Sequence, residues 1–172
     1  MLILAVFAIS TFIQSVGVPI FEGSDEQRHY AYARYLIHNF ALPPHYKTNT
    51  DIPYVYSVEQ EAGQPPLYYL PVALGVHLGR LVSIAFGLLT LWAVSRLARA
   101  ITPDRPAVGL QAAALVGSVP GFLYVHATIT NDVAPILFVT LSLWMVARIV
   151  REGPRVRLAL AGGVFAALTL LS

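Results

Sequence analysis

Five long apolar runs constrain this chain more than any other feature. They fall at residues 1–21, 81–100, 107–129, 133–150 and 158–172. A helix needs about 20 apolar residues to cross the hydrocarbon core of a bilayer. The shorter runs reach that length when flanking arginines snorkel to the interface. The expectation is an all-α, polytopic transmembrane helix bundle forming a single domain over residues 1–172. Composition agrees, because 56% of the 172 residues are hydrophobic and only 12% are charged, against about 45–50% and 25% in soluble domains. The first run lacks the basic start and small-residue exit of a cleaved signal peptide and is read as a retained helix. The last is 15 apolar residues without a polar or aromatic anchor, so the chain is expected to be the N-terminal part of a longer protein.

Charge placement orients the helices. Arg96, Arg99 and Arg105 share one short connection, and Arg148, Arg151, Arg155 and Arg157 share another. Positively charged connections face the cytoplasm, and alternation then sets residues 22–80 and the Asn131-Asp132 turn on the outer side. Within 22–80, juxtamembrane helices are expected at about 25–39 and 66–78. The stretch LYYLPVALGVHL, residues 67–78, is too short to cross and suits an interfacial helix. Eight of the nine tyrosines lie between Tyr30 and Tyr69, which suits a segment along the headgroup layer. A net charge of +2 and no cysteine argue against a nucleic-acid partner and exclude disulfides and thiolate metal sites.

The polar stretch GSDEQRHY, residues 23–30, follows the first span directly. Ser24 and Gln27 have capping-box spacing for a helix that Leu42-Pro43-Pro44 stops. Asp25 and Glu26 occupy its first turn, and Asp25, His29 and Tyr32 share one face. Capping alone would account for these acids. Gln64-Pro65-Pro66 reads as a rigid entry to a helix beginning at Leu67. Asn131-Asp132 is either the N-cap of a helix from Val133 or a contact for sugar hydroxyls or a metal. Tyr68 and Tyr69 anchor at headgroups or stack on sugar. His126 reads as a packed histidine, and Gly117 and Gly121 as a close helix contact.

The ordered pieces SDEQRHYAYARYL, LPP, EAGQPPLYYLP, RLVSIAFGLLTLWAVSRLAR and PGFLYVHATITND resemble the start of GT-C membrane glycosyltransferases, namely the protein O-mannosyltransferase family and bacterial aminoarabinose transferases of lipid A. The resemblance implies that one acid of the pair Asp25 and Glu26 is the catalytic base, with Asp25 preferred. Arg80, at the start of the second span, matches the arginine that meets the donor phosphate, with Arg28 as second choice. Gln64 stands where those families often carry histidine or lysine. His29, Gln64, Pro65, Pro66, Tyr68, Asn131 and Asp132 complete the candidate substrate-binding set.

The implied activity is sugar transfer from a polyprenyl-phosphate donor to a lipid, glycan or protein acceptor on the extracytoplasmic face of a bacterial inner membrane. No cofactor is expected; a divalent metal on Asp25, Glu26, His29 and Asp132 is the less favoured route, because no closely spaced D-x-D occurs. The alternative class is a non-catalytic transporter or lipid-binding scaffold, which would place ionisable groups or broken helices near mid-membrane.

Overall fold

A computed structural model describes residues 2–23, 25–43 and 64–172. Among them every regular element is helical: α1 (Leu2–Gly17), α2 (Glu26–Asn39), α3 (Tyr69–Val72), α4 (Val76–Ile101), α5 (Ala107–Gly117), α6 (Pro120–Ala127), α7 (Val133–Glu152) and α8 (Val156–Leu170). By length and composition α4 and α7 can each cross a membrane, and α5 with α6 makes a third crossing if the bent pair is one span. Helices satisfy their own backbone groups, as lipid demands. Their outward faces are apolar: Ile13, Leu115, Leu143, Val150 and Leu160 are all exposed. The chain is an integral membrane helical bundle.

Several limits differ from the sequence expectation, each for a local reason. α1 ends at Gly17 rather than near residue 21, two residues before Pro19, a residue type that disfavours helix in what precedes it. Residues 67–78 are not one helix. α3 contains Pro71 and stops at Val72, and Gly75 adopts φ 149°, a backbone region essentially restricted to glycine. α4 therefore starts at Val76, five residues before the expected span. The run 107–129 is two helices bent by 69°. Val119 is extended, as a residue before proline prefers, and Pro120 opens α6. The break also splits the Gly117/Gly121 pair: a Cβ on Gly117 would meet Leu91 at 3.2 Å, whereas one on Gly121 would meet nothing within 4 Å.

Side-chain pairs fix how the helices run. Phe86 faces Phe138, and Trp92 meets Trp144 edge-on at 5.2 Å, so α4 and α7 advance in parallel. α8 folds back on α7, where Ser142 Oγ donates to the Gly162 carbonyl. The carbonyls of Ser15, Val18 and Pro19, where α1 ends, accept from Arg80 near the start of α4, so α1 runs opposite to α4. Consequently both arginine-rich connections, α4–α5 and α7–α8, lie at one end of the bundle. The end of α1, all of α2 and α3, and the α6–α7 turn gather at the other.

Three clusters make the core of the described residues, one of them Ala93, Leu137 and Leu141 between α4 and α7. Phe7, Leu91 and Ala113 pack at mid-bundle with Phe122. Tyr32, Leu36, Tyr68, Tyr69, Val72, Ile129 and Val133 fill the opposite end. Close approach of α5 to α4 depends on Gly109, where an added Cβ would lie 2.7 Å from the Ser95 carbonyl oxygen, a backbone atom that cannot swing away. Gly109→Ala is expected to cost about 1–3 kcal/mol, read as a lower melting midpoint of the detergent-solubilised protein. Gly163→Ala is the control: its Cβ meets nothing within 4 Å, and alanine favours a helix interior by about 1 kcal/mol.

Candidate functional site

The polar end of the bundle holds two arrangements made from adjacent residues. The first is a buried clamp around Glu26. Arg80 Nε donates to Glu26 Oε1 at 2.8 Å and Nη2 to Oε2 at 2.6 Å. Nη1 donates to the carbonyls of Ser15 and Val18, and Nη2 also to that of Pro19. Glu26 accepts further bonds from the backbone N–H of Phe21 (3.0 Å) and of Ile129 (3.1 Å). One ion pair thus ties together α1, α2, α4 and the segment after α6. Ser15 lies in the last turn of α1, whose carbonyls lack intrahelical partners, Val18 and Pro19 follow it, and a cation there also complements the helix dipole.

Burial, the largest influence on Glu26, pushes its pKa up, but hydrogen bonds from Arg80, Ile129 and Phe21 outweigh it and hold the carboxyl below its ordinary value of 4.5. A carboxyl depressed by folding stabilises the fold above its unfolded pKa, and that stabilisation is lost as pH falls through the folded value. Melting midpoints are expected to decline below about pH 4.5 in the native protein and to decline less steeply in Glu26→Gln.

The second arrangement is a cleft of about 390 Å³, within the size range of small-ligand sites. Asp25 and His29 of α2 line it with Gln64, and Tyr124, Val125, Thr128, Thr130, Asn131 and Asp132 close the other side. Asp25 is the N-cap residue of α2 in a left-handed conformation, φ 54°, yet its side chain makes no capping bond. Its Oδ1 accepts from Arg28 Nη1 at 2.9 Å, and both side chains are substantially exposed. Asp132 likewise precedes α7 without capping it. Asn131 Nδ2 donates to Gln64 Oε1 at 2.7 Å, joining the two walls.

These placements sort the sequence candidates. Asp25, His29, Gln64, Asn131 and Asp132 come together at the cleft. Glu26 does not; it is fully buried in the clamp. The expectation that Arg80 meets a donor phosphate does not fit, because its five N–H donors meet five acceptors and its side chain is 3% exposed. Tyr68 is core rather than a headgroup anchor or a sugar platform. It is buried, its hydroxyl pairs with Ser83 at 2.8 Å, and burial raises its pKa well above the usual phenol value. Tyr32 and Tyr69 are buried too, so three of the tyrosines read as interfacial serve packing. Pro65 and Pro66 precede α3, whose first residue, Tyr69, donates its backbone N–H to the Pro66 carbonyl. His126 is packed between Phe7 and Phe122. Ser24, Pro44 and the residues at 59–63 lie outside the described residues.

Sequence reading missed Tyr124, Thr128 and Thr130 as cleft residues. The available signal was the alternation Thr128-Ile129-Thr130 just after α6: Ile129 turns into the core while Thr128 and Thr130 line the cleft.

An apolar helical bundle with a polar cleft at the end opposite its arginine-rich connections is the architecture of an integral membrane protein. Residues 64–172, more than half of the chain, match the sequence profile of the dolichyl-phosphate-mannose-protein mannosyltransferase family. The chain belongs to that family, whose membrane glycosyltransferases are of the GT-C type. No curated protein and no solved structure matches the chain. The match includes Gln64, Arg80 and the Thr128–Asp132 side of the cleft, while α1 and α2 precede it.

Proposed function

We propose that the protein transfers a sugar from a polyprenyl-phosphate donor to an acceptor on the extracytoplasmic face, with Asp25 as the general base. The observation that carries this reading is the Asp25 carboxylate lining the cleft without being spent on capping. In the transfer, the bond between the anomeric carbon and the phosphate oxygen breaks, and its electron pair leaves with the phosphate. The acceptor oxygen bonds to the anomeric carbon, and its proton passes to Asp25. The transition state is oxocarbenium-like, as in other glycosyl chemistry. Phosphate needs no strong acid to leave, only cationic donors on its oxygens.

With Arg80 committed to Glu26, Arg28 becomes the described candidate for that phosphate contact, since it pairs with Asp25 at the cleft's edge. Gln64, Asn131 and Asp132 are suited to sugar or acceptor hydroxyls. The route requires no metal, and chelation is expected to leave turnover unchanged. The test is consumption of dolichyl phosphate mannose by membranes containing the full-length protein or its Asp25→Asn variant.

One observation favours the transporter reading, the 69° break between α5 and α6. Broken helices mark binding sites when their free ends meet a ligand. Here the break region packs against Leu91 and Phe7 through Gly117, which favours the transferase.

A further inference from the structure

His29 and Tyr69 form a contact that sugar transfer as described above leaves unused. The imidazole is 6% exposed, yet it lines the cleft one helical turn from Asp25. Its Nδ1 lies 2.8 Å from the Tyr69 hydroxyl, with the two rings roughly stacked at 5.9 Å. Tyr69 is itself fixed, fully buried with its ring 4.2 Å from that of Tyr32 and 5.5 Å from that of Tyr68. Packing α3 against α2 needs only the rings. Burying an imidazole costs desolvation that a plain apolar contact avoids, and a hydroxyl locked behind it fixes the ring's orientation. A cleft-facing proton carrier, oriented from behind by a second residue, is the arrangement proton transfer requires.

We propose that Tyr69 is a positioning residue that holds the His29 imidazole to relay the acceptor's proton away from Asp25. This rests on the reading of Asp25 as base. The proton moves from the acceptor hydroxyl to the Asp25 carboxylate, then to a ring nitrogen of His29, and out to water in the cleft. The carboxylate is thereby restored before the next turnover. Around the imidazole stand Asp25 and Arg28 on its own helix, Tyr69 from α3, and Tyr124 and Asp132 across the cleft. Glu26, also on α2, is held by Arg80.

The test uses membranes containing full-length protein, which supply the acceptor, with labelled dolichyl phosphate mannose as donor between pH 5 and 8.5. Tyr69→Phe keeps the ring packing and removes only the hydroxyl. Its maximal rate is expected to fall about tenfold with the donor KM within about twofold, and the acidic limb of its pH profile to move. His29→Gln is expected to abolish that limb. The double variant should be no slower than His29→Gln alone, because Tyr69 acts through His29. A Tyr69→Phe variant that melts earlier but keeps the native rate and limb would reduce the contact to packing and overturn the proposal. Native pH behaviour in His29→Gln would do the same. Loss of turnover in Asp25→Asn alongside either result leaves the base assignment standing, whereas native turnover in Asp25→Asn removes the assignment itself.

Discussion

Replacing Arg80 with methionine is expected to lower stability by about 3–5 kcal/mol, the range for removing one partner of a buried ion pair. The variant leaves Glu26 fully buried and charged with only the Phe21 and Ile129 N–H groups as partners. It also strips the Ser15, Val18 and Pro19 carbonyls of their shared donor. For a chain of 172 residues the melting midpoint should fall by roughly 6–20 °C, measured on this chain in detergent. Pairing it with Glu26→Leu separates the two contributions. Where an ion pair acts alone, replacing both partners by apolar residues is often neutral. Here the double variant should recover only part of the loss, because the Ser15 and Val18 carbonyls still lack their Arg80 donor and each such bond contributes about 1 kcal/mol. Full recovery would show that Arg80 serves Glu26 alone; an unchanged midpoint in Arg80→Met would mean that the clamp contributes nothing.

How much of this was legible in the sequence follows from the range of the interactions involved. Apolar runs long enough to span announce helices because the bilayer sets both length and polarity, and Val133–Glu152 appears almost as expected. The arginine-rich links announced which connections share an end. Local stereochemistry was written in the sequence too. Pro120 and Gly75 break the helices around them for reasons a single residue supplies, although the apolar pattern masks both. The pairing of Glu26 with Arg80, 54 residues apart, was not legible, since no local pattern says which acid of a neighbouring pair turns inward. Asp25 is the left-handed N-cap and Glu26 the first residue of α2, so the backbone rotates between the two side chains. That rotation sends one to the core and the other to the cleft. The tyrosines misled for a related reason: an aromatic with a hydroxyl suits a headgroup layer and a hydrogen-bonded core equally well. Only the partners Ser83, Gln64 and His29 decide for the core.

The same rotation makes Asp25→Asn the sharpest functional test, since it should give the opposite signature to Arg80→Met. Asparagine tolerates the left-handed backbone that Asp25 adopts, so α2 should start as before. The lost partner is Arg28, in an exposed pair of the kind that contributes little to stability; the melting midpoint should stay near the native value. Donor turnover should fall about 10²–10⁴-fold, the range for losing a general base. The donor KM should hold, because the base acts on the acceptor's proton and not on the lipid-linked sugar. Arg28→Gln should show the reverse split, with donor KM rising more than the maximal rate falls, if its guanidinium meets the phosphate. Glu26→Gln, one residue from the base, should lose activity only as far as it loses fold. Native donor consumption in a folded Asp25→Asn protein would take the base role away from Asp25 and leave removal of the acceptor's proton to another group.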